Sequence, residues 1–329
     1  MKRLPRNTVL TGDATAVLRG LLGESVDCVV TSPPYVGGVR DYGASGQLGD
    51  EARVERYVGR LRRVAREVRR VLKPHGSLWL NLGDAYARTA GRGVPRGSLF
   101  LAPQRMALAL SADGWLVRNV CVWRKPNPLP QSARDRLSPT YEVVLFATKR
   151  RSYYFDLDAI RVPHRSVRRR RPSEAGRTYR GGNGGLGKLK AAGRVGHPNG
   201  KNPGDVWTIA TAADRLGHQA TFPEALVERP ILATCPERIC VQCDRAWKRP
   251  ARVLTVHTNE GARTVRKVGA LQRCDCFAPT RPGVVLDPFL GTGTVGVVAE
   301  RLGRDWLGIE LNPAYAELAK ARIGERRAA

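Results

Sequence analysis

The chain has 329 residues, 42% of them hydrophobic, so it is long enough for one large α/β domain or two smaller ones and too apolar to be disordered throughout. Its formal net charge is +27, from 56 basic and 29 acidic residues, which exceeds what solubility needs and attracts polyanions, nucleic acid first. No run of 18 or more apolar residues occurs and no signal-type segment follows Met1, so a membrane span is not expected, the chain reads as cytoplasmic, and disulfides are not expected among its seven cysteines.

In chain order, residues 8–14 read as a short strand closing in Gly12-Asp13, with helical turns over 16–22 that Asp13 can cap. Residues 26–30 are an apolar run that reads as a buried strand, ending abruptly at Thr31-Ser32-Pro33-Pro34-Tyr35. The two prolines fix the backbone and donate no hydrogen bonds, so nearby carbonyls stay available. Ser32 and Tyr35 are thereby presented at the strand's carboxyl edge, where open α/β sheets bind ligands. The glycine-rich residues 36–50 are either a lid over that edge or a plain connection. Residues 54–72 carry apolar side chains at helical spacing, with arginines on the other face read as solvated. Lys73-Pro74-His75-Gly76 stops this helix and residues 77–82 return as a strand, the crossover of a parallel sheet.

A helix over 103–112, a strand over 115–123, a basic extended stretch over 124–130 and a strand over 143–147 follow, then a short edge segment over 153–158. Residues 161–205 change character, with a basic run from Arg168 to Arg171 and a glycine-rich stretch from Gly181 to Lys188. Such a segment reads by composition as a linker, disordered alone, whose arginines and lysines suit the phosphates of a nucleic acid. Residues 205–209 return to order, and a helix begins over 218–229 with Phe222-Pro223 near its start. Cys240-x2-Cys243 and Cys274-x-Cys276 bracket residues 244–273 and read as a four-cysteine structural zinc site with no position open to water. Cys28, Cys121 and Cys235 read as buried thiols.

Residues 284–294 form an apolar strand, a glycine turn and the start of a helix, and residues 306–312 form a second strand ending in Glu310. Gly291 and Gly293 allow close backbone approach to a ligand at a helix N-terminus. Glu310 follows them at about the 20-residue spacing of the ribose-binding acid in dinucleotide folds.

Thr31-Ser32-Pro33-Pro34-Tyr35 and Asp287-Pro288-Phe289-x-Gly291-x-Gly293 together resemble the S-adenosylmethionine-dependent DNA amino-methyltransferases. The catalytic motif comes first, as in the permuted beta class of that family. The serine form is most similar to the cytosine-N4 enzymes; aspartate is more usual in adenine-N6 enzymes. The resemblance covers most of the chain and implies a doubly wound, Rossmann-like class I methyltransferase sheet with a basic insertion, to which the cysteine pairs add a small zinc-binding insertion. It divides the chain into a catalytic half over 1–160, a target-recognition region over 161–205, a helix leading to the cofactor motif over 206–235 and a cofactor-binding half over 281–329, and the cysteine spacing sets a zinc knuckle over 236–280 between the last two.

By the same resemblance, S-adenosyl-L-methionine is held by Asp13, Thr31, Phe222, Pro223, Asp287, Pro288, Phe289, Gly291, Gly293, Thr294 and Glu310. Asp13 meets the adenine amine and Glu310 the ribose. Ser32, Pro33, Pro34 and Tyr35 are the catalytic residues: the Ser32 hydroxyl and Pro33 carbonyl hold the amine protons, and Tyr35 stacks on a base flipped out of the duplex. The partner implied is double-stranded DNA, and a cognate restriction endonuclease is left open. Adenine-N6 methylation is the alternative of like chemistry. A nucleic-acid-binding protein that kept the fold and lost catalysis is the alternative of another class, and the two intact motifs argue against it.

Overall fold

The structure, a computed structural model, describes residues 4–38, 40–163, 200–211, 222–248, 251–258, 261–268 and 273–328. Residues 164–199, which hold the basic and glycine-rich runs, and 218–221, the expected start of the helix that carries Phe222, lie outside the described residues. The chain divides into two compact units, Met1–Phe155 with Asp205–Ala246 and Ala278–Ala329, and Asp156–Gly204 with Trp247–Phe277.

The first unit is built on strands β1 (Thr8–Thr11), β2 (Val26–Thr31), β3 (Leu72–Leu82), β4 (Leu116–Arg124), β5 (Tyr141–Thr148), β6 (Val206–Thr208), β11 (Val284–Asp287) and β12 (Asp305–Glu310). They form one sheet in the order β1-β12-β11-β2-β3-β5-β4-β6. Every neighbouring pair is parallel except those of β5, which runs antiparallel to both β3 and β4. All six residues of β2 are buried, as a central parallel strand covered on both faces requires.

The helices that cover it are α1 (Ala14–Gly20), α2 (Val54–Val71), α3 (Ala102–Ala112), α4 (Glu224–Thr234), α5 (Thr294–Arg301) and α6 (Pro313–Ala328). They bury their apolar stripes in two separate cores. Leu18, Leu61, Val68 and Met106 lie in one; Val227, Ile231, Val298 and Ala319 lie in the other. Two cores on one sheet mean helices on both faces, so the fold is doubly wound as expected. The catalytic strands of the first half and the cofactor strands of the last lie side by side in it, with Val285 paired to Cys28 and Leu286 to Val29.

Three local expectations need correction. The arginine face of α2 is not merely solvated: Arg62 and Arg66 both grip Asp113, and Arg70 donates to the Leu18 and Leu21 carbonyls at 2.6 and 2.9 Å. Charge repeated along one face finds partners once α1 and α3 pack against it. Residues 153–155 make no strand pairing; Tyr153 and Phe155 instead place their rings 5.7 and 6.0 Å from that of Phe146. Strand β3 also begins at Leu72, so Pro74 and His75 lie within it, at a break in register with β2.

Beyond the sheet, the first unit pairs β7 (Ile239–Cys240) with β10 (Thr280–Arg281). In the second unit, a 3-10 turn over Asp158–Ile160 precedes a bridge between Val162 and Lys201, and β8 (Ala251–Thr258) and β9 (Gly261–Val268) form an antiparallel hairpin. No helix of the described residues is long and apolar enough to cross a membrane.

Candidate active site

The chain leaves β11 for β12 through α5 and leaves β2 for β3 through α2, so neighbouring strands send their connections in opposite directions. That divergence opens a crevice at the carboxyl edge of the sheet. A cavity of about 330 Å³ lies there, lined among others by Gly12, Asp13, Ser32, Pro34, Phe222, Phe289, Gly291 and Glu310. Tyr42, Ala44, Gly46, Gln47 and Leu48 of the glycine-rich loop border the same cavity. The loop is tied down: Gly37 and Gly38 donate to the Gly49 carbonyl at 3.0 and 2.8 Å, and Asn312 Nδ2 donates to the Tyr42 carbonyl at 2.8 Å.

On the β11–β12 side, the Glu310 carboxylate accepts from the backbone N–H of Gly291 at 2.7 Å and of Asn312 at 2.9 Å. Burial raises its pKa against the pull of those two donors. Asp287 lies behind the cavity wall and is fully buried. Its Oδ1 accepts from Thr31 Oγ1 at 2.6 Å and from the Phe289 N–H at 2.9 Å, and burial pushes its pKa up to about 7. Asp287 and Thr31 thus tie the ends of β11 and β2 together. Gly291 borders the cavity at φ 54°. Gly293 does not; a Cβ there would lie 3.0 Å from Ile323 and 3.1 Å from Ala319, so this glycine lets α5 and α6 pack closely.

Phe222, Pro288 and Thr294 line the cavity, whereas Pro223 is the buried N-cap residue of α4 and lies outside the lining. Asp13 borders the cavity and also caps α1, accepting from the Ala16 N–H at 2.9 Å, so the two readings of this residue are compatible.

On the β2 side, Ser32 and Pro34 face the cavity. Pro33 is buried. The Pro34 carbonyl is engaged, accepting from Tyr57 Oη at 2.9 Å, which braces the turn from α2. The Tyr35 ring packs on the backbone of β3's end: a Cβ at Gly83 would lie 2.5 Å from it. Tyr35 is not among the cavity-lining residues. Its hydroxyl lies 3.3 Å from Ser32 Oγ and donates to Glu142 Oε2 at 2.5 Å. Asn81 Nδ2 reaches Ser32 Oγ at 3.2 Å, Tyr35 Oη at 2.8 Å and Glu142 Oε2 at 2.8 Å. Lys125 Nζ donates to the other oxygen of Glu142 and sits 4.8 Å from the Trp123 ring centre. Burial, then the neighbouring Glu142, pushes the Tyr35 pKa well above its usual value, so the phenol remains a donor.

Asn81, Lys125 and Glu142 went unread in the sequence as site residues. A lone Asn in the apolar strand at 77–82 was a faint signal, since a buried amide requires partners. Nothing near Glu142 or Lys125 in the chain announces their meeting with Ser32.

The four cysteines of the expected zinc site divide between the units. Cys240 and Cys243 belong to the first, Cys274 and Cys276 to the second. Cys28, Cys121 and Cys235 are buried, and burial raises the thiol pKa of Cys28 to about 11 and of Cys121 to about 12, so both stay protonated.

A doubly wound sheet with one antiparallel strand, a cavity at its switch point, a glycine turn and a facing acid fit a nucleotide-cofactor enzyme of the S-adenosylmethionine-dependent methyltransferase class. The chain belongs to the DNA methylase family, whose sequence pattern matches residues 26–321. It is 34% identical to the Type II methyltransferase M.SmaI of Serratia marcescens over 97% of this chain and 91% of that protein. It is 35% identical to the Type II methyltransferase M.SfiI of Streptomyces fimbriatus over 94% of this chain and 89% of that protein. Among solved structures, the cytosine-N4-specific PvuII DNA methyltransferase superposes with a TM-score of 0.57 at 19% identity, over 99% of this chain and 93% of that one. The Thermus thermophilus protein TTHA0409 in complex with S-adenosyl-L-methionine superposes with a TM-score of 0.52 at 25% identity, over 97% of this chain and 95% of that one.

Proposed function

We propose that this DNA methyltransferase modifies the exocyclic N4 amine of cytosine in duplex DNA. The observation that carries the reading is Ser32, which borders the same cavity as Gly291 and Glu310. The donor set fits S-adenosyl-L-methionine: Glu310 as an acceptor for hydroxyls, Asp13 as an acceptor for an amine, and the Phe222 and Phe289 rings as apolar surface. That molecule supplies an electrophilic methyl group on a sulfonium. The chain's residues supply position. The amine's lone pair is delocalised into the base, so Ser32 Oγ and the Pro33 carbonyl accept hydrogen bonds from its two N–H groups and favour a tetrahedral nitrogen. The base must leave the duplex to reach them, and orienting the two reactants does most of the work.

Serine rather than aspartate in the motif favours cytosine. Mass spectrometry of nucleosides from plasmid DNA methylated in vitro tests this: N4-methylcytosine is expected, and N6-methyladenine as sole product overturns the choice of base. Ser32→Ala is expected to abolish transfer while calorimetry still finds cofactor binding.

The basic stretch within 161–205 supports a role in gripping DNA, and the Type II names of the relatives support a cognate restriction endonuclease as a functional partner. The C-x2-C and C-x-C pairs support one structural Zn2+ held by Cys240, Cys243, Cys274 and Cys276. The local turn suits it: the Cys240 carbonyl accepts from the Asp244 N–H at 3.0 Å, and Asp244 takes φ 53°, leaving Cys243 exposed in the turn. Elemental analysis is expected to find about one zinc per chain; protein free of metal, with all four thiols open to a thiol reagent, would remove the site.

A further inference from the structure

We propose that Glu142, held by Lys125 and Asn81, is a positioning residue that fixes the direction of the hydrogen bonds around Ser32, turning its hydroxyl into an acceptor aimed at the substrate amine. The inference rests on the reading of Ser32 as the group that meets that amine.

The argument is one of donors and acceptors. A carboxylate only accepts and an ammonium only donates. Lys125 Nζ occupies one oxygen of Glu142; the other receives Tyr35 Oη at 2.5 Å and Asn81 Nδ2 at 2.8 Å. Tyr35 has one proton and gives it to Glu142, so towards Ser32 Oγ, 3.3 Å away, it can only accept. Ser32 therefore donates to Tyr35. The order runs from Ser32 to Tyr35 to Glu142, and the proton of Ser32 points along the chain of bonds rather than at the substrate. The oxygen that borders the cavity keeps a lone pair for an N–H group. A hydroxyl free to rotate would as readily present its proton, which an amine hydrogen cannot meet.

The Asn81 amide carries a second mark of this imposed order. Its Nδ2 faces three oxygens, those of Ser32, Tyr35 and Glu142, while its Oδ1 is buried with no hydrogen-bond partner among the described residues. Turning the amide over would set Oδ1 against a carboxylate. Glu142 thus determines which end of Asn81 faces the site, at the expense of an unpaired buried carbonyl. Glu142 does not border the cavity. It acts through Tyr35 and Asn81.

The test is a double-mutant cycle of Glu142→Gln and Tyr35→Phe. Single-turnover methyl transfer is measured to unmodified plasmid DNA at saturating S-adenosyl-L-methionine, with cofactor affinity by calorimetry and thermal melting alongside. Each single variant is expected to slow transfer by about ten- to a hundredfold, the scale of a hydrogen bond to a charged group. Cofactor affinity should stay within about twofold, since neither change touches that half of the site. Because the two residues act along one chain of bonds, the double variant should be no slower than the slower single. Losses that multiply, or Glu142→Gln transferring at the wild-type rate, overturn the proposal. If Glu142→Gln melts too early to assay, Tyr35→Phe decides alone: it keeps the ring and removes the relay, and unchanged transfer overturns the proposal. Ser32→Ala run beside them separates the two ideas, because transfer surviving there defeats the reading of Ser32 itself.

Discussion

Asp287 is the residue whose environment departs most from what its place in the motif suggests. The sequence assigns it to the cofactor pocket, yet it is fully buried behind the wall, with Oδ2 lacking a partner among the described residues. Burial is the main reason its pKa rises to about 7; the nearby Glu310 adds to the rise, and Thr31 and the Phe289 N–H oppose it. The consequence for stability has a definite sign. Between the ordinary carboxyl value and about 7, the folded chain holds a proton that the unfolded chain releases, so stability falls as pH rises through that window. Asp287→Asn should flatten this part of the stability profile. Chemical denaturation at intervals from about pH 4 to 8, spanning that window, checks it, and parallel profiles for the two proteins would show that Asp287 titrates normally.

Helices α2 and α3 are joined by one carboxylate. Asp113, just past the end of α3, receives Nε and Nη2 of both Arg62 and Arg66 at 2.6–2.9 Å. The side-chain hydrogen bonds from Arg62, then Arg66, hold its pKa below the usual carboxylate range. Such a lowered group adds stability above the unfolded value and loses it as pH falls. The arginines are partly exposed, so the contribution is screened by salt. Asp113→Ala should lower the melting temperature by a few degrees in dilute buffer, and by much less in about 1 M NaCl. The backbone N–H of residue 113 still caps α3 in that variant, so a difference that ignores salt would show that charge pairing is not what Asp113 contributes. Glycine works at the same scale: Gly293 takes φ 85°, which strains any other residue, and admits α6 where a Cβ would crowd Ala319 and Ile323.

Over the whole molecule, a charge of +27 on 329 residues makes DNA binding a counterion-release problem. Binding measured by fluorescence anisotropy on a duplex should weaken steeply and linearly in log salt. Deleting residues 166–200, which carry the basic run and the glycine-rich stretch, should weaken DNA binding far more than cofactor binding. Equal loss of both would make that segment part of the core.

By itself the sequence determined the class of fold, because period and punctuation are local. Apolar runs ending in Thr31-Ser32-Pro33-Pro34 and in Asp287-Pro288-Phe289 mark two strand ends, and the helical stripe of α2 marks the crossover between β2 and β3. The residues bordering the cavity on the cofactor side, Gly291 and Glu310, were legible for the same reason: backbone approach and an acid at fixed spacing are properties of one strand–turn–helix–strand stretch. The tertiary structure alone decided the rest. Only the pairing of β3 with β5 and of β5 with β4 brings Asn81, Lys125 and Glu142 to Ser32 and Tyr35, across separations of 46 to 107 residues for the bonds that reach them. Only the packing of α5 on α6 shows that Gly293 is enclosed between those helices. No local pattern encodes such contacts, because a side chain's hydrogen-bond partner is set by which strands lie side by side, and that order follows from burying both faces of the whole sheet at once.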